Sequence, residues 1–327
     1  MSRRCAPAAL LSGRSRRFLL ELSLLALILG PMSGATAGEV GGAGGAAGEA
    51  ARREAPRMVA LGSGIAETVC ELGACGSLIA VDQSARGLAS VAGLPQVGYF
   101  RALSLEPLLA LEPTLVLASA LAGPPAVLAG LESAGVRVVT VPEEATIEGL
   151  GTKLRAIGAA IGLAEAAAIE AARIERELSA LGAALAAITS RPRAVYLFGI
   201  GGGGLQAAGR ATLADGLMRL AGLENGFADA EGYHALSAEV LLMMQPDFIL
   251  VGEQTLAAHG GVEGLERLPA LAGVLGQGGR TRLIRHDDAR LLGLGPHTAD
   301  EVRRIALAAH PALAKRFPGA GSGDEPR

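Results

Sequence analysis

The chain has 327 residues, enough for two domains of ordinary size, and half of them are apolar, so a core is easily buried. The formal net charge is −3; setting aside the five arginines and one glutamate of residues 1–37 leaves 24 basic and 31 acidic side chains, a net charge of −7. A mildly acidic protein without a basic block is a poor partner for nucleic acid or an anionic lipid surface, and those classes are set aside.

The N-terminus reads as an export signal. Arg3, Arg4, Arg14, Arg16 and Arg17 precede an apolar stretch from Phe18 to Leu29, and Ala35-Thr36-Ala37 supplies a small-residue cleavage site. That stretch is too short to span a bilayer, so the mature chain is expected to begin after Ala37 without membrane insertion. Residues 38–56 are Gly, Ala and Glu with few large apolar side chains, an expected disordered lead-in, and 314–327 an expected disordered tail. Cys5 leaves with the signal. Cys70 and Cys75 remain in an oxidising compartment, either as a local disulfide or as two thiols.

From Arg57 onward, strand-like and helix-like runs alternate. Strands are predicted at Met58–Leu61, Leu78–Asp82, Leu115–Ala118 and Val136–Val141, with helices at Ile65–Leu72, Glu106–Leu111 and Ala126–Ser133. Such alternation predicts an α/β lobe with a largely parallel sheet over 57–145. No strand appears between Ile147 and Thr189. There Ile174, Leu178, Leu181, Leu185 and Ile188 mark one face of a long helix beginning near Ala164, and Gly158 and Gly162 are expected to break the stretch before it. This segment, 146–189, is read as a stiff helical connector. A second lobe over 190–313 is predicted from strands at Val195–Phe198, Phe248–Val251 and Leu283–Arg285 and helices at Leu213–Ala221, Ala238–Met244 and Thr298–Ala309. The predicted fold is therefore two Rossmann-like α/β lobes joined by a long α-helix, with a ligand cleft between them.

An internal repeat supports this division. Gly98-Tyr99-Phe100-Arg101-Ala102-Leu103-Ser104 runs into Leu105-Glu106-Pro107-Leu108-Leu109, and Gly232-Tyr233-His234-Ala235-Leu236-Ser237 into Ala238-Glu239-Val240-Leu241-Leu242. Ser104 and Ser237 are expected helix N-caps, with Glu106 and Glu239 in the first turns where the helix dipole favours them. The repeat places Tyr99 and Tyr233 at equivalent positions, one per lobe. Equivalent glutamates on two lobes lie too far apart for shared catalysis; they either serve their helices alone or offer two like charges to a pseudo-twofold partner.

These features resemble the periplasmic binding proteins of haem, cobalamin and siderophore importers, over about Arg57 to Pro311. The likeness rests on Arg57-Met58-Val59-Ala60-Leu61, Glu67, Val81-Asp82, the two Leu-Ser-x-Glu units and the helical connector. Val97-Gly98-Tyr99-Phe100-Arg101-Ala102-Leu103-Ser104 is similar to the signature of the haemin-binding branch, joined by Ala207-Ala208-Gly209-Arg210, by Gly232-Tyr233 and by Gly293-x-Gly295-Pro296. The resemblance implies haem as a ferric, non-covalently held cargo, since there is no C-x-x-C-H attachment site. It implies Tyr99 as the iron ligand through its phenolate and Arg101 as support for that oxygen. Tyrosinate suits ferric iron, and both Fe(III) and a guanidinium favour the ionised phenol. Tyr233, His234 and Arg210 are the further candidates for haem contact, His234 as a second ligand or a propionate contact. Glu106 and Glu239 would dock on the permease dimer of an ABC importer with its cytoplasmic ATPase. Some relatives supply a histidine at the start of the second lobe; here Phe198-Gly199-Ile200 and Gly201–Gly204 contain none. His297 stands where relatives often carry Arg after Gly-Pro, and His259, His286 and His310 are expected on the surface.

Two other readings remain open. The same fold could carry cobalamin or a ferric siderophore. An exported enzyme could use the glycine run at 201–204, but it lacks the Lys-Ser/Thr ending of a P-loop and any nucleophile–base set.

Overall fold

The computed structural model describes residues 56–199, 204–275 and 281–317, so the signal sequence, most of the lead-in, the glycine run up to Gly203 and most of the tail lie outside it. The first sheet is built from β1 (Met58–Leu61), followed by α1 (Ser63–Glu71), β2 (Leu78–Val81), α2 (Leu105–Leu109), β3 (Leu115–Ser119), α3 (Pro125–Ser133) and β4 (Arg137–Val141). Its strand order is β2-β1-β3-β4, with every pair parallel. Parallel strands are covered on both faces, which is why β1 reads as an unbroken apolar run. Its alternate side chains serve two cores. Met58 and Ala60 pack with Ile65 and Val69 of α1, and Val59 and Leu61 with Leu108 of α2 and Leu131 of α3.

Two helices follow, α4 (Ile147–Ile161) and α5 (Ala164–Leu185). Thr146 caps α4 by accepting from the Gly149 N–H at 2.9 Å, and left-handed Gly162 ends it. Gly158 does not break the helix, contrary to the sequence expectation. It lies inside α4, where a Cβ would come within 2.1 Å of the Ala167 methyl, so its lack of a side chain lets α4 and α5 touch.

The second sheet takes β5 (Arg193–Phe198), β6 (Gln206–Ala208), α6 (Leu213–Leu220), β7 (Glu224–Asn225), β8 (Tyr233–Ala235), α7 (Ala238–Met244) and β9 (Phe248–Gly252). After α8 (Glu253–Ala258), α9 (Gly261–Glu266) and α10 (Pro269–Leu275) come β10 (Arg282–His286), α11 (Asp288–Leu291) and α12 (Thr298–Ala309). The order β10-β9-β5 is parallel; β6 and β8 extend it antiparallel, and β7 pairs with the start of β5. One face packs Ala194 and Tyr196 against Ile174, Leu178 and Leu181 of α5 and Val302 and Ile305 of α12. The other packs Val195 and Leu197 against Leu241 of α7 and Leu271 of α10. No helix of the described residues is long and apolar enough to cross a membrane.

A polar seam joins the halves. Ser63 Oγ donates to the Ala289 carbonyl at 2.9 Å, and His297 Nδ1 lies 2.9 Å from Glu67 Oε1. The fully buried Lys153 ammonium reaches both Glu143 oxygens at 2.8 Å and the Gly293 carbonyl at 2.6 Å. Burial pushes the Lys153 pKa down, and the Glu143 carboxylate at 2.8 Å opposes that shift. His297 thus has a partner the sequence did not name.

Cys70 and Cys75 form a disulfide where α1 ends, their Cα atoms 4.0 Å apart across the intervening turn.

Candidate functional site

In open parallel sheets, ligands sit beyond the carboxyl ends of the strands, and both sheets here point those ends into one cleft. The first lobe contributes Gly62 and Ser63 after β1, Gln83 and Ser84 after β2, Ser119 and Leu121 at β3, and Glu143 after β4; the second contributes Phe198 at the end of β5, Gln254 after β9 and Asp288 after β10. The cleft encloses about 440 Å³, within the size range of small-molecule sites.

Tyr99, Arg101 and Tyr233 all line it, so the repeat brings one tyrosine from each lobe to the same space. Each follows a glycine in the left-handed region, Gly98 at φ 93° and Gly232 at φ 84°. Only glycine adopts that turn without strain, and the turn carries the next side chain into the cleft. Tyr99 stands edge-on to Phe100 with ring centroids 5.0 Å apart, and Tyr233 rests against Phe198 at 5.8 Å. The two tyrosines remain 40% and 39% exposed, enough for a ligand to reach them.

Burial raises the pKa of the Tyr99 phenol; the Arg101 guanidinium pulls it back, and the Asp82 carboxylate adds to the rise. Tyr233 is likewise raised by burial, lowered by the same guanidinium and raised by Tyr99. Arg101 therefore acts on both phenols while its carbon lies 5.3 Å from the Phe100 ring centre.

Asp82 is the residue whose role the sequence did not expose. It is fully buried at the end of β2. Its carboxylate accepts from the Gly62 N–H at 2.8 Å, the Ser84 hydroxyl at 2.8 Å, the Ser84 N–H at 2.9 Å and the Phe100 N–H at 3.3 Å. One carboxylate thus ties the loops after β1 and β2 to the loop bearing Tyr99. The Gln83 N–H adds a bond to the Gly98 carbonyl at 2.7 Å. Burial raises the pKa of Asp82 and the four donors oppose that rise.

Arg210 and His234 are not among the cleft-lining residues. Arg210 reaches the Ala228 carbonyl and Glu231, both at 3.4 Å. His234 neighbours Tyr233 on β8, and successive strand side chains point to opposite faces. Its Nε2 is held 2.8 Å from the Glu231 carbonyl. Glu106 and Glu239 sit exposed in the first turns of α2 and α7. Ser237 caps α7 through the Val240 N–H at 3.5 Å, but Ser104 makes no capping bond despite its extended backbone.

The surface expectation for three histidines is also corrected. His286 and His310 are buried, and half-buried His259 turns Nδ1 to the Thr255 carbonyl at 2.8 Å. His310 faces the Gly222 carbonyl at 3.2 Å. His286 ends β10, the edge strand of its sheet, yet its ring is 1% exposed and stacked on Tyr196, so packing carries it into the core whatever its polarity.

Two α/β lobes, an interlobe cleft at their strand ends, and an aromatic pair sharing one guanidinium define a ligand-binding protein of the two-lobed class. The family model for periplasmic binding proteins matches residues 58–282, and the chain belongs to that family. Solved structures agree. The periplasmic heme-binding protein RhuT from Roseiflexus sp. RS-1 is 34% identical, with a TM-score of 0.72 over 79% of this chain and 99% of that one. BhuT, solved in complex with two hemes, is 34% identical, with a TM-score of 0.68 over 77% and 98%. HutB of Vibrio cholerae, a periplasmic heme-binding protein, is 31% identical, with a TM-score of 0.66 over 78% and 99%. No curated protein sequence matches the chain.

Proposed function

We propose that this protein, exported and cut after Ala37, binds ferric haem in the periplasm and delivers it to an ABC importer; it is a carrier and not an enzyme. The observation that carries the reading is the Tyr99–Arg101 pair, opposed by Tyr233, in a cleft that both lobes line. Haem-binding neighbours at 31–34% identity support the same cargo. In this reading Tyr99 supplies a phenolate to the iron, the guanidinium offsets the cost of ionising a half-buried phenol, and Phe100, Phe198 and Leu121 offer apolar surface to the macrocycle. Tyr233 faces the ligand from the second lobe. Titrating purified protein with haemin tests this: a ferric tyrosinate spectrum that saturates supports it, and protein that stays colourless in excess haemin overturns it.

Asp82 positions the Tyr99 loop. Asp82→Asn keeps the size but turns an amide N–H toward donors, so haemin binding should weaken by about tenfold, equivalent to ~1.4 kcal/mol. The phenolate charge-transfer band should broaden as the loop loses its single register. A stopped-flow release rate and band width equal to wild type would remove Asp82 from the site.

Glu106 and Glu239 present one exposed carboxylate per lobe to the permease dimer. Reversing both, Glu106→Arg with Glu239→Arg, should abolish haem uptake in cells while leaving haemin affinity unchanged. Persistent uptake would mean that docking lies elsewhere.

A further inference from the structure

Among the described residues, the exposed large apolar side chains fall into a simple distribution. Tyr99, Leu121 and Tyr233 line the cleft, and Ile169 stands alone on α5. The other three, Val240, Leu242 and Met243, all lie on α7, the seven-residue helix that carries Glu239 in its first turn. Met243 is 81% exposed, the highest of the set. Clustered apolar exposure on a soluble domain marks a contact surface, and Met is enriched at such surfaces.

The repeat shows that this exposure is not needed for folding. Aligning Glu106 with Glu239 pairs Leu108 with Leu241, and both are fully buried, so each lobe anchors its helix in the same way. The neighbouring exposed positions diverge: Pro107 and Ala110 in the first lobe correspond to Val240 and Met243 in the second. The first lobe folds around the small residues, which leaves the larger apolar pair of the second lobe without a structural reason.

Met243 is four residues beyond Glu239 and three beyond Val240, so the three side chains share one helix face. A shallow groove of about 380 Å³ continues from that face, walled by Val240, Met243 and Met244 and rimmed by Asp229, Glu224 and Arg193. Arg193 is engaged by Glu224 at 3.0 Å, so Asp229 on the rim and Glu239 in the adjoining first turn of α7 leave this surface acidic. The surface therefore suits a partner that brings a cation together with an apolar side chain.

We propose that the outer face of α7 is a second, apolar contact with the importer, seated on a permease segment that carries an apolar side chain beside an arginine or lysine. This rests on the docking role given to Glu239 above and adds that the two lobes engage unequally, the second holding the transporter by burial as well as by charge. Charge steers the encounter at both glutamates; burial at Met243 slows release at one.

The test uses the full mature protein and its cognate permease–ATPase complex in nanodiscs. Met243→Asp, at a position so exposed that stability should hold, is expected to weaken docking by about tenfold, mainly through faster release. Haemin affinity and Tm should match wild type. Ala110→Asp, the equivalent change in the first lobe, should shift docking by less than about twofold. Unchanged docking of Met243→Asp, or equal weakening by both variants, overturns the proposal. So does sedimentation showing that the wild type self-associates and that Met243→Asp dissolves the dimer, because the occupant would then be a second copy. If Glu106→Arg with Glu239→Arg leaves docking intact, the docking reading itself fails. If those reversals abolish docking while Met243→Asp does not weaken it, only the apolar contact fails.

Discussion

Replacing Tyr99 with phenylalanine should leave the protein folded and remove its ferric phenolate spectrum, with haemin affinity falling by about 100-fold or more, equivalent to ~3 kcal/mol. The hydroxyl lies at a 40% exposed side chain in a cleft, so deleting it should change stability by no more than about 0.5 kcal/mol. The proposed iron bond is lost outright. Burial raises the phenol's pKa, so the free protein holds it protonated at neutral pH. Iron must displace that proton, so binding should release about one proton per haem and strengthen as pH rises toward the phenol's pKa. Arg101→Ala removes the group that lowers that pKa, and the pH at which the phenolate complex forms should move upward. Tyr233→Phe is the control: its phenol is also held protonated by burial, and the spectrum should survive. A spectrum abolished by Tyr233→Phe and retained by Tyr99→Phe would move the ligand to the other lobe.

The parts of this site that were legible in the sequence were those encoded locally. The strand Met58–Leu61 was visible because a parallel strand covered on both faces has no polar interruption. Tyr99 and Tyr233 were placed by the repeat, whose glycines fix the same left-handed turn before each. What stayed hidden depends on distant partners. Asp82 looks like any acidic residue after a strand until the folded chain brings the Phe100 N–H to it. Lys153 meets Glu143 and Gly293 only across the seam. The strands β6, β7 and β8 are two or three residues long, and Gln206-Ala207-Ala208 has neither β-branched nor aromatic residues to announce it. His234 is next to Tyr233 in the chain, yet on β8 strand alternation turns adjacent side chains to opposite faces.

Exchanging His286 for phenylalanine should make the protein more resistant to acid, and the reason is again tertiary. His286 is 1% exposed, stacked on Tyr196 with ring centroids 4.9 Å apart, and neither ring nitrogen finds a hydrogen-bond partner. Burial, aided by the Arg304 charge, lowers its pKa to about 3. In the unfolded chain an imidazole titrates near 6.5. Folding therefore favours the neutral ring. That preference costs nothing above about pH 6.5, where both states are neutral. Below it the unfolded chain takes up a proton that the folded one refuses, so stability falls as pH drops from about 6.5 toward 3, by ~4 kcal/mol over the full window. Asp288 runs the other way: burial raises it to about 6, so its contribution is present below about 3.8 and is lost as pH rises through about 6. The two slopes oppose one another between those values, and Asp288→Asn in both backgrounds isolates the histidine. Phenylalanine keeps the stack on Tyr196 and removes two unpartnered nitrogens, gaining about 1–2 kcal/mol at pH 7 less whatever its slightly larger ring costs in packing. In the Asp288→Asn background, urea midpoints at pH 7 and pH 4.5 should converge for His286→Phe and diverge where His286 is retained. Parallel pH dependence in the two proteins would show that the imidazole is hydrated or hydrogen-bonded in solution and bears no part of the acid sensitivity.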